Sequence, residues 1–131
     1  MSEAKPKSKV RAPKVNFESK AYWDATAEGK LLVKTCNDCK QPHYFPRALC
    51  PFCFSENLSY VESKGTGVIY SYSVTHGKEP YAIAYVTLDE GVTMLTNIVD
   101  CDFDKLKIGQ KVKVKFFDTG EGNAVPMFTA A

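Results

Sequence analysis

No stretch of this sequence stays apolar for the ~20 residues that a membrane-spanning helix needs, and its start carries no apolar signal-peptide core. Both absences predict a soluble, cytoplasmic chain. Histidine is scarce, with His43 and His76 alone, and Trp23 is the single tryptophan. Neither a Ser/His/Asp nor a Cys/His arrangement is legible, and no glycine-rich phosphate loop or carboxylate pair stands out. The sequence therefore predicts no catalytic residues of its own, and both histidines read as structural surface residues. Net charge is low as well, at +2. Lys5, Lys7, Lys9, Arg11 and Lys14 against Glu3 put +4 on the first fifteen residues and leave −2 for the remainder. A nucleic-acid binder places basic residues on its folded surface, so this balance argues against phosphate tracking.

What is present suffices for a folded protein. The chain has 131 residues, 44% of them hydrophobic, enough for one compact unit or two small subdomains. Five cysteines are an odd number, and four fall in two close pairs, Cys36-x2-Cys39 and Cys50-x2-Cys53. In a reducing compartment that pattern favours a metal over disulfides. A Cys-x2-Cys turn lets two thiolates converge on one ion, and two such turns give the closed tetrahedral sulfur site that structural zinc prefers. Four thiolates leave no open position for water, which predicts a structural ion. Iron at the same spacing is the chemical rival. Asn37, Asp38, Lys40 and Pro51 make the surroundings polar and turn-like, unlike those of unligated buried cysteines. Cys101 stands between Asp100 and Asp102, which discourage its thiolate, and reads as an inert thiol.

Along the chain, residues 1–15 read as a flexible basic tail. Residues 16–57 form a helix and a cysteine module, and 58–131 a β-domain. Asn16 is a helix cap and Gly29 a helix exit. Phe17, Ala21 and Ala25, spaced by four, predict the buried stripe, with Tyr22 beside them and Trp23 off it. Tyr22 and Trp23 are also candidate partner anchors. Leu31 to Thr35 reads as a short strand entering Cys36. The module is too small for its own core, so the metal supplies folding energy, on the order of 10 kcal/mol in zinc peptides. From Leu58 the pattern is β. Val68, Tyr70, Tyr72 and Val74 alternate with Ile69, Ser71 and Ser73, and Gly65 and Gly67 mark a bulge or bend. Tyr81 to Leu88, an Asp89-Glu90-Gly91 turn, Val92 to Val99, a strand through Val112, Val114 and Phe116, and an edge strand over Pro126 to Thr129 follow. Short bent strands in this number suggest a small Greek-key barrel of the OB type. Tyr70, Tyr72, Tyr81 and Tyr85 are expected mostly inside it.

The order of these parts carries a resemblance. A helix with Tyr22-Trp23 leads through Gly29-Lys30-Leu31 to the first cysteine pair. Phe45-Pro46-Arg47, Cys50-Pro51-Phe52-Cys53, Gly67-Val68-Ile69-Tyr70-Ser71, Pro80-Tyr81-Ala82, Leu88-Asp89-Glu90-Gly91 and Ile108-Gly109 follow. Over roughly residues 16 to 129 this resembles the family once called domain of unknown function 35, a rubredoxin-like zinc ribbon followed by an OB-fold. The resemblance implies a mainly β fold and a non-catalytic accessory subunit of a thiolase-type acyl-CoA enzyme. That subunit scaffolds the catalytic partner and sometimes shares the coenzyme A thioester. Aldolase and hydratase complexes are the alternative partners. Lys40 and Phe54 depart from the family, which often has Gly after each cysteine pair. A single-stranded nucleic-acid-binding OB-fold is the alternative from another class, since those tyrosines can stack bases. For coenzyme A phosphates the candidates are Arg47, in the proline-rich turn, and Lys78, in a loop that also holds His76 and Tyr81. His76 adds a hydrogen bond and Tyr81 stacks on adenine.

Overall fold

The computed structural model describes residues 12–131. The tail expected over residues 1–15 lies outside the described residues up to position 11. The chain divides into two compact units, one running to Ser63 and joined by Phe116–Pro126, the other made of Lys64–Lys115 and Met127–Ala131.

In the first unit, α1 spans Lys20–Ala27. Asn16 does not cap it directly. Its side-chain oxygen accepts from the Ser19 N–H at 3.0 Å and closes a turn before the helix begins. At the other end, Lys30 N–H reaches Ala25 O at 3.0 Å and Gly29 N–H reaches Thr26 O at 3.0 Å. With Gly29 at φ 76°, this is a Schellman exit. The buried face is Tyr22 and Thr26, one turn apart. Phe17 is not part of it and stands 85% exposed, because it belongs to the preceding turn and not to the helix. Tyr22 packs edge-on against Trp23 and Tyr44 and shares a hydrogen bond with the Tyr44 hydroxyl. Thr26 Oγ1 accepts the Ala124 N–H at 3.2 Å.

β1 (Leu32–Cys36) lies between β2 (Pro42–His43) and β3 (Leu58–Glu62) in an antiparallel sheet of order β2-β1-β3. Leu58 sits opposite Cys36 and Glu62 opposite Leu32. The strand that starts at Leu58 thus pairs with the cysteine module. Leu31 and Val33 are buried beneath this sheet.

The second fold element is a closed barrel of order β4-β5-β6-β8-β7, as expected for an OB-fold. Its strands are β4 (Thr66–Thr75), β5 (Tyr81–Leu88), β6 (Thr93–Ile98), β7 (Lys111–Asp118) and β8 (Ala124–Ala130), with one 3-10 turn at Phe103–Lys105. β8 is a closing strand and not an edge: it runs parallel to β6, with Ile98 opposite Phe128. Ala82, Ala84, Val86 and Leu88 alternate into the core with Ile69, Met94, Ile98, Val112 and Phe128. Gly67 is required where β4 meets β5, since a Cβ there would lie 2.4 Å from Thr87 O. The register slips between Ile69 and Ser71, a bulge at Tyr70.

The tyrosines are where the structure departs most from expectation. Tyr70, Tyr72, Tyr81 and Tyr85 are exposed on the barrel and not packed within it. Both phases of β5 are apolar, so alternation alone does not choose between them. The small interior takes the phase with Ala82 and Ala84, and Tyr81 and Tyr85 face out.

Candidate metal centre

Two loops bring the cysteines together. Cys36 ends β1, and its carbonyl accepts the Lys40 N–H at 3.0 Å while its own N–H donates to Gln41 O at 3.1 Å. The second loop repeats this frame. Cys50 O accepts from Phe54 N–H at 2.9 Å, and Cys50 N–H donates to Ser55 O at 2.9 Å. The chain turns back sharply after each pair because Lys40 and Phe54 adopt φ 68° and 65°. These are the positions where glycine was missed in the sequence, and the structure shows the left-handed backbone that glycine would fit. Amide hydrogens point at sulfur in both loops, Cys39 N–H at Cys36 Sγ and Phe52 N–H at Cys50 Sγ, each at 3.4 Å. The Cys39 amide is the main cause that lowers the Cys36 thiol to about 7, against the desolvation that raises it.

The four sulfurs lie within 4.8 Å of one another. Cys36 to Cys53 and Cys39 to Cys50 are each 3.6 Å apart. That is well beyond the ~2.05 Å of a disulfide, and all five cysteines are free. A tetrahedron with metal–sulfur bonds of ~2.3 Å has edges of about 3.8 Å. The donor set, its spacing and its amide hydrogen bonds fit one tetrahedral thiophilic ion. Side chains tie the loops together independently of an ion. Asn37 donates to Asn57 Oδ1 at 3.0 Å and to Ser59 Oγ at 2.8 Å, and the Asp38 carboxylate accepts from Ser55 Oγ and from Asn57 at 3.2 Å. The Ser55 hydroxyl, then Asn57, hold the Asp38 carboxyl below its ordinary range.

His43 is not a surface residue. It faces Lys34 across β1 and β2, is buried, and both ring nitrogens lack a hydrogen-bond partner. Desolvation, then the charges of Lys34 and Arg47, push its pKa down and keep it neutral. Sequence reasoning also passed over Lys34, whose ammonium donates to Arg47 O at 2.8 Å and lies 4.9 Å from the Tyr60 ring centre. The strand alternation around it was the available signal.

The coenzyme A candidates divide between the units. Arg47 belongs to the first, exposed, with its guanidinium 4.8 Å from the Phe45 ring centre. His76, Lys78 and Tyr81 belong to the second, all exposed around the β4–β5 connection. Gly77 between them has open space where a Cβ would project. Cys101 is half-buried, and burial, then Asp102 and Asp100, raise its thiol. It lines a shallow cavity of about 290 Å³ with His76, Asp102 and Asp104.

Comparison with known proteins supplies the family. Residues 23–59 match the ChsH2 rubredoxin-like zinc ribbon domain, and residues 60–117 match the ChsH2 C-terminal OB-fold domain. A "DUF35 domain-containing scaffold protein" of Methanothermobacter thermautotrophicus is 35% identical over 66% of this chain and 71% of its own length. A "Probable enoyl-CoA hydratase alpha subunit" of Thermomonospora curvata is 32% identical over 99% of this chain, which spans 43% of that protein's length. Among solved structures, a chain of the "Ltp2-ChsH2(DUF35) aldolase" is similar at 31% identity and TM-score 0.81, over 91% of this chain and 98% of that one. No helix among the described residues is long and apolar enough to cross a membrane. A zinc ribbon followed by a five-stranded OB barrel, matched in both parts, identifies the chain as a member of the DUF35 family, of the ChsH2 type.

Proposed function

We propose that the chain is a non-catalytic accessory subunit of an acyl-CoA-processing enzyme. It holds one structural zinc through Cys36, Cys39, Cys50 and Cys53 and scaffolds a separate catalytic subunit. The observation that carries this reading is the near end-to-end similarity to the DUF35 chain of an aldolase assembly. A hydratase or an aldolase partner draws support from the names of two similar proteins. The thiolase partner implied by the first resemblance rests on that resemblance alone. Four thiolates close the metal site, so the ion organises the ribbon and leaves the chemistry to the partner.

Coenzyme A is the ligand that such a partner would share. Lys78 and Arg47 offer cationic groups for its phosphates, His76 a hydrogen bond and Tyr81 a stacking face. Two assays test the reading. The isolated chain should turn over no acyl-CoA thioester, and the same preparation should support hydration or retro-aldol cleavage once the catalytic subunit is added. Robust turnover by the chain alone, abolished by Cys101→Ala, contradicts it. In the complex, Lys78→Ala should raise the Michaelis constant for acyl-CoA and leave assembly intact. An unchanged constant places the coenzyme wholly on the partner.

A further inference from the structure

The ten residues of β4, the eight of β5 and the six of β6 include no Asp, Glu, Lys, Arg or His, in a chain that is 24% charged. A barrel interior explains half of that. The outward half has no such cause, because solvent-facing strand positions ordinarily carry charge. Here they carry Tyr70, Tyr81, Ile83, Tyr85 and Leu95, with Ser, Thr and Asn between them. The register makes the surface continuous: Tyr85 lies opposite Leu95 on one side and Ser71 on the other, and Ile83 lies between Ser73 and Asn97. Tyr70 is 67% exposed and Leu95 56%. At the centre is a hollow of about 130 Å³ lined by Tyr72, Ile83, Ala84, Tyr85 and Leu95. Tyr72 is fixed by its hydroxyl donating to Leu106 O at 2.8 Å.

We infer that this outer face of β4, β5 and β6 is where the catalytic subunit docks, inserting one apolar side chain into the hollow beside Tyr85 and Leu95. The inference rests on the scaffold reading above for the partner's identity. Tyrosine enrichment and charge depletion mark the core of protein interfaces, and energetic anchors sit in pockets of this kind. The exposed parts of the large side chains come to roughly 500 Å². With the intervening small polar residues, the face approaches the ~800 Å² per partner of a standard interface. A second copy of the chain fits poorly. A two-fold contact lays a patch on itself, and the side chains that could fill the hollow are the ones that form its walls. Single-stranded nucleic acid also fits poorly, since these strands offer no cation to a phosphate.

The test uses the full chain and the catalytic subunit that accompanies it when it is purified from its own cells, identified and then produced separately. Tyr85→Lys with Leu95→Lys should weaken their affinity at least 100-fold, with circular dichroism and melting temperature retained because both positions face outward. Ile83→Arg is the second variant, should the double variant misfold. Lys111→Ala with Lys113→Ala, exposed positions on β7, should change the affinity less than 3-fold. Unchanged affinity in the folded face variants overturns the proposal. So does a wild-type homodimer that Leu95→Lys dissociates, or submicromolar binding of a thymidine 20-mer lost in the same variants. If the subunit released by the variants has no acyl-CoA chemistry, the face stands and the scaffold reading fails. If an acyl-CoA subunit stays bound, the reverse holds.

Discussion

Phe54 is 75% exposed and holds φ 65°, a combination that favours neither its ring nor its backbone. Lys40 occupies the matching place in the first loop at φ 68°. A left-handed non-glycine residue costs roughly 1–2 kcal/mol, and the added freedom of glycine when unfolded returns part of that. Phe54→Gly should therefore stabilise the ribbon by about 0.5–1 kcal/mol, and Lys40→Gly by a similar amount. Thermal melting of the metal-loaded protein measures this, and lower melting temperatures in both variants would show the side chains stabilise the loops. His43 gives a prediction in pH. Its folded-state pKa lies below the ~6.5 of free imidazole. As pH falls through about 6.5 the unfolded chain takes up the proton first, so stability is flat above that pH and declines below it. His43→Phe removes this contribution along with two unpartnered buried nitrogens. Between pH 7.5 and 5.5 the wild-type melting temperature should fall more than the variant's, and equal slopes would contradict the assignment. Tyr22→Phe leaves the half-buried Tyr44 hydroxyl without its partner and should cost about 1 kcal/mol in denaturant unfolding.

At the scale of elements, the two cysteine loops were legible because a covalent spacing fixes their geometry. The tether between them was not, since Asn37, Asp38, Asn57 and Ser59 meet only when β1 and β3 pair. For the same reason Leu58–Glu62 read as the start of the barrel, where it joins the ribbon sheet. Strand positions in β5 were readable but their phase was not, because Tyr81, Ile83 and Tyr85 are as apolar as Ala82, Ala84 and Val86. The Tyr70 bulge then shifts the phase of β4. Histidine burial is a tertiary property, and nothing local to His43 announced it. Gly65 and Gly67 did signal a constraint, although at a close approach next to the bulge and not at the bulge itself. Gly67→Ala would set a Cβ against Thr87 O at 2.4 Å. It should separate β4 from β5 and cost more than about 2 kcal/mol, as overpacking of a rigid backbone contact does. A melting temperature close to wild type would show that the strands adjust.

At the scale of the whole molecule, the chain matches the ribbon and the barrel of its family in order, and covers 43% of the hydratase subunit to which it is similar. The barrel supplies an uncharged outer face over β4, β5 and β6, and the ribbon a closed thiolate site. Both arrangements fit the accessory role proposed above. The most direct measurement is native mass spectrometry of the complex isolated through this chain from its own cells. The account predicts a hetero-oligomer in which each copy of the chain carries one zinc and the other subunit belongs to an acyl-CoA hydratase or aldolase. A chain recovered alone and active on acyl-CoA, or one whose four cysteines hold no metal, would contradict it.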